Sequence, residues 1–129
     1  MNLITHLKLT AMNLVGEQIQ IEQITKSCRS LNVRELMQLL MMNMPMFMSW
    51  GVQRTKVVDS TANPKMLRLT VNGHHHKGHV YIFVNGMDLF DVYLTSRQGK
   101  IKVIQTDLYF DDLAEWIDEK IERIDAYVK

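Results

Sequence analysis

The sequence predicts an α+β domain: a four- or five-stranded antiparallel β-meander with N-terminal helices and a C-terminal amphipathic helix, the helices packed mainly on one face. Three observations carry this. Apolar residues recur at helical spacing up to Pro45 and alternate beyond it. The links between the alternating stretches, NGHHHKG, NGMD and SRQGK, are hairpin-length and hold Asn-Gly or Gly where positive φ would be needed. The chain then closes on an apolar helical stripe flanked by acids.

Leu3, Ile4, Leu7, Met12, Leu14 and Val15 fall roughly on one helical face, and Gly16 is placed to end that helix. Residues 17–29 are ambiguous, because Ile19 and Ile21 alternate like a strand whereas Ile21 and Ile24 suit a helix; helix is the preferred reading. Asn32 followed by Glu35 has capping-box spacing, which predicts a helix from 33 to about 43. Pro45 is expected to stop it, having no amide proton and disfavouring helical geometry at Met44.

A first strand region is expected over 46–58, with Gly51 a bulge or sharp bend. Residues 59–64, DSTANP, are turn formers. Strands follow over 66–71, 79–84, 89–95 and 101–105. Val80, Ile82 and Val84 share one face against His79, Tyr81 and Phe83; Phe90, Val92 and Leu94 oppose Leu89, Asp91 and Tyr93. Parity then constrains the hairpin between them. A two-residue Asn85-Gly86 loop would set Val80 opposite Asp91 and put a carboxylate on the apolar face, so an odd-length loop or a bulge is expected. With three loop residues Ile82 would face Phe90 and Tyr81 would face Asp91.

In the last element Leu113, Ile117, Ile121, Ile124 and Val128 form one stripe with Trp116 beside it, while Asp112, Glu115, Asp118, Glu119 and Glu122 lie mostly off it. Thr106 or Asp107 is expected to cap its start.

At 129 residues, 47% hydrophobic and 22% charged, the chain is sized and composed for one self-sufficient domain spanning 1–129. The lone Cys28 cannot form an internal disulfide, and no export signal or run of eighteen apolar residues is present. A cytoplasmic setting without a membrane span is the expectation. The net charge of +1 hides an asymmetry: residues 1–59 carry +2, residues 60–106 carry +4 and residues 107–129 carry −5. An acidic helix balancing a basic sheet explains it; a basic surface for an anionic partner is the sharper reading.

Two clusters invite chemistry. His74, His75, His76 and His79 are ligand types for Zn, Ni or Cu, but successive rings of an extended chain point apart and no Cys or carboxylate lies in the loop, so a solvated hairpin is expected. Met37, Met41, Met42, Met44, Met46 and Met48 could offer soft sulfurs to Cu(I), yet a pliable core or an adaptable contact surface uses the same side chains without metal. No nucleophile elbow, phosphate loop, dinucleotide glycine pattern or zinc-ribbon spacing is present. The expectation is therefore no enzyme, no cofactor and no metal.

The remaining feature is the sheet's second face. With helices on one side, the strands would expose Arg68, Thr70, His79, Tyr81, Phe83, Leu89 and Tyr93, with Lys102 near the edge. Arg68, His79, Tyr81, Phe83, Tyr93 and Lys102 are the candidate interaction surface. The first functional expectation is a non-catalytic module that self-associates or docks on another protein through this face or the Met-rich segment. The alternative is a nucleic-acid-binding accessory protein using the basic, His-rich segment 60–106, its aromatics stacking bases and its cations meeting phosphate.

Overall fold

The computed structural model describes residues 14–58 and 64–122. Three short helices, α1 (Ile21–Thr25), α2 (Val33–Leu40) and α3 (Met44–Ser49), precede strands β1 (Arg54–Val58), β2 (Met66–Asn72), β3 (Lys77–Val84), β4 (Phe90–Thr95) and β5 (Ile101–Leu108). A 3-10 turn (Phe110–Asp112) leads into α4 (Leu113–Ile121). The five strands lie in sequence order as one antiparallel meander, because every connection is too short for a crossover. The α+β fold is as the alternation and loop lengths predict.

Each helix start has a local cause. Asn32 Oδ1 accepts the Glu35 amide at 3.0 Å and so caps α2. Asn43 repeats the device with the Met46 amide at 3.2 Å and opens α3, where Pro45 occupies the first turn. Pro45 therefore does not hand the chain to a strand: it starts a second helix, and the strand expected over 46–58 shrinks to β1. Gly51 does make the bend, at φ 61°, where an added Cβ would lie 2.9 Å from the Asn72 carbonyl oxygen. Residues 17–29 are helical only over α1. The helix expected over 3–15 falls largely outside the described residues; Gly16 has positive φ, as a helix end would need.

The β3–β4 hairpin pairs Val84 with Phe90, Ile82 with Val92, Val80 with Leu94 and Tyr81 with Tyr93. Its loop, residues 85–89, is five residues long, so parity is as expected while the pairing is two residues on from the three-residue case. The left-handed residue in this loop is Asp88, at φ 61°, and not Gly86. Asn85 explains this: its Oδ1 accepts the Met87 and Leu89 amides, shaping the loop by side-chain bonds so that the glycine's freedom is not used. Between β4 and β5 the register shifts twice. Asp107, at φ 59°, lies in the first irregularity, and its amide donates to Asp91 Oδ1 at 3.0 Å. It does not cap the last helix, because β5 runs on to Leu108 and the 3-10 turn intervenes.

One sheet face carries Leu67, Leu69, Val71, Val80, Ile82, Val92 and Leu94, which pack against Leu36 and Leu40 of α2, Trp50, and Leu113, Ile117 and Ile121 of α4. The stripe read from sequence is the buried one as far as it is described; Ile124 and Val128 lie outside the described residues. The opposite face is also covered. Residues 14–31 cross it, laying Ile19 and Cys28 with Leu14, Ile21 and Ile24 on Met66, Tyr81, Phe83 and Tyr93. Backbone bonds fasten this strap at both ends: Gly16 N–H to Ile101 O and Ile101 N–H to Glu17 O (2.8 and 2.9 Å), and Arg29 N–H to Val84 O (2.8 Å).

Candidate interaction surface

The strap overturns the open-face expectation. His79, Tyr81, Phe83 and Tyr93 are buried, and so is Thr70. The aromatics serve packing: Tyr81 and Phe83 stack with centroids 6.5 Å apart, and Phe83 meets Tyr93 edge-on at 5.5 Å. The physical reason is that residues 17–31 are too apolar to be left in water, and this face is where they can be buried. Arg68 is half-buried, its Nε enclosed without a hydrogen-bond partner among the described residues. Lys102 is exposed on β5. The six residues thus do not form one accessible surface.

The histidines divide. His74 and His75 are exposed, whereas His76 and His79 are buried, which corrects the reading of a wholly solvated loop. His79 Nε2–H donates to the Arg97 carbonyl at 3.2 Å, which leaves Nδ1 to accept the Thr70 hydroxyl at 2.9 Å. His76 Nε2–H donates to the His79 carbonyl at 3.2 Å. Burial, then the Arg68 guanidinium, pushes the His79 pKa below its ordinary value; burial does the same to His76, opposed by its bond to the His79 carbonyl and reinforced by Lys102. Among the described residues no group of three or more His, Cys, Asp or Glu side chains is arranged to hold a metal.

Under the strap lie the groups with the most perturbed chemistry. Burial first, then the Asp91 carboxylate, pushes the Cys28 thiol up to about 11, and its Sγ–H donates to Ile24 O at 3.0 Å. Tyr93 is pushed up to about 12 by burial, with Asp91 and Cys28 adding to it. Asp91 is itself raised by burial, although bonds from the Asp107 amide and from Asn85 Nδ2 (2.9 Å) favour its charged form. A thiol held protonated beside a carboxylate is poorly suited to nucleophilic attack.

The methionines are where solvent meets apolar surface. Met41, Met42, Met44 and Met48 are exposed, Met42 by 79% and Met48 by 70%, while Met37 and Met46 are half-buried. Met44 and Met48 stand one turn apart on α3 and so share a face. The alternation 42, 44, 46, 48 is therefore not the two-sided display of a strand. Beside α3 runs a groove of about 640 Å³ lined by Met46, Leu108 and Trp116 and by Asp112, Glu115, Asp118 and Glu119. Sequence reading placed these acids on a solvated helix face, which they are, but it could not see that α3 closes the groove's other wall.

Compared with protein families, curated proteins and solved structures, the chain shows no match. No helix among the described residues is long and apolar enough to cross a membrane.

Proposed function

We propose that this chain is a non-catalytic interaction module that docks on a partner protein through α3 and the loop before it. One observation carries the reading: five of the six residues of α3 are apolar, yet none is fully buried. Exposed apolar surface of this extent on a folded domain marks an interface, and methionine suits one because its unbranched, polarizable side chain adapts to the surface it meets. The protonated Cys28 supports the absence of nucleophilic chemistry, and a reducing, cytoplasmic setting suits its free thiol. The nucleic-acid reading drew its support from an open aromatic face, and Tyr81, Phe83 and Tyr93 are buried.

A photo-reactive amino acid at position 48, introduced in cells of the native host, tests the proposal. A discrete adduct from position 48 but not from exposed Lys77, lost in the Met42→Glu/Met44→Glu variant, supports it. An adduct of twice the chain mass identifies the partner as a second copy. No adduct, or the same adduct from position 77, removes the reading.

A further inference from the structure

We infer that the groove between α3 and α4 receives a basic amphipathic segment of the partner protein, the apolar side of that segment on Met46, Leu108 and Trp116 and its Lys or Arg residues against Asp112, Glu115 and Glu119. This rests on the interaction reading above and names the chemistry of the partner. The groove has the two halves such a segment needs: an apolar lining that includes an adaptable thioether and an indole, and carboxylates of a single sign around it. The molecule itself shows how the indole takes a cation, because Lys120 Nζ lies 5.9 Å from the centroid of the Trp116 ring. The sign of the charge also selects among occupants. Nucleic acid and anionic lipid both present phosphate, which these carboxylates repel, whereas a basic peptide satisfies them. The groove shares Met46 with α3, so a segment seated in it lies beside the exposed Met44 and Met48.

The test is a tryptophan-fluorescence titration of the full chain, in which half-buried Trp116 reports on the groove and fully buried Trp50 is shielded from direct contact. The probes are a helical peptide of about 18 Leu and Lys residues in amphipathic order, the same composition scrambled, and a Leu-Glu counterpart. The ordered basic peptide should bind at least about tenfold more tightly than either control and weaken as salt is raised. In the Glu115→Lys/Glu119→Lys variant, shown to be folded by circular dichroism, that preference should be lost. Equal binding of all three peptides, no binding of the basic one, or unchanged binding by the charge-reversed variant overturns the inference. If the adduct at position 48 nevertheless forms, only the basic-partner inference falls and the interaction reading stands.

Discussion

The indole N–H of Trp50 donates to Asp118 Oδ1 at 3.0 Å, joining the end of α3 to the middle of α4 across 68 positions of sequence. Trp50 is wholly buried, and Phe47 lies against it with ring centroids 5.4 Å apart. Trp50→Ala should cost about 3–5 kcal/mol through lost apolar burial and the cavity left behind. Asp118→Ala should cost less, about 1–3 kcal/mol, because it leaves the buried indole donor unsatisfied. Urea denaturation of both variants checks the order; equal stability of wild type and Trp50→Ala would mean that α3 is not docked as described.

The stacked pair Tyr81 and Phe83 belongs to the second core and not to a working surface. Changing both to Ser should destabilise the domain by about 5 kcal/mol or more, comparable to the whole stability of a marginal domain. A circular-dichroism melt decides it. A variant that melts within a few degrees of wild type would show that the strap does not bury this face.

Stability should fall as pH drops below the ordinary histidine range. The folded pKa values of His76 and His79 are depressed, so their neutral forms are favoured in the fold. Below about 6.5 the unfolded chain takes up protons that the folded chain does not, and stability present above that pH is lost on acidification. No carboxylate stands among the causes that shift these two rings; Arg68, Arg54 and Lys102 all oppose the charged form. Asp91 acts in the opposite sense at lower pH, since a raised carboxyl pKa lets the folded state hold its proton longer. Urea melts at pH 7.5 and 5.5 should show the histidine loss, and the His76→Gln/His79→Gln variant should flatten it. A wild-type domain as stable at pH 5.5 as at 7.5 contradicts the burial of these rings.

Cys28 should resist alkylation while the domain is folded. Raising its pKa from 9.0 to about 11 lowers the thiolate fraction at pH 8 by about a hundredfold, and burial slows access further. Iodoacetamide labelling followed by mass should be slow in buffer and fast in urea. Labelling at the rate of an unfolded peptide in both conditions would place Cys28 in solvent.

Local pattern was enough for the α+β class, the cap at Asn32, the odd β3–β4 loop and the buried stripe of Leu113, Ile117 and Ile121. Each depends on residues near one another in sequence or on the parity of side chains about a short loop. Local pattern also misled where two signals competed. Pro45 both ends helices and fits their first turn, and only the Asn43 cap decides for the second. Gly86 offers a positive φ that Asn85 makes unnecessary by bonding the loop through its side chain.

What the sequence by itself determined is which residues must be withdrawn from water: the strand alternation, the α4 stripe and the apolar residues of 14–31 are all legible there. Which surfaces cover which was decided by tertiary structure. Residues 14–31 and the Tyr81 and Phe83 face are each apolar and unpartnered when read alone, so each looks like an interface until the bonds of Gly16 and Glu17 to Ile101 and of Arg29 to Val84 lay one on the other. The groove has the same origin, since its acids are ordinary solvated helix residues until the Trp50–Asp118 bond and the shared core bring α3 beside them. Burial is a property of pairs of surfaces, and a single sequence states only one member of each pair at a time.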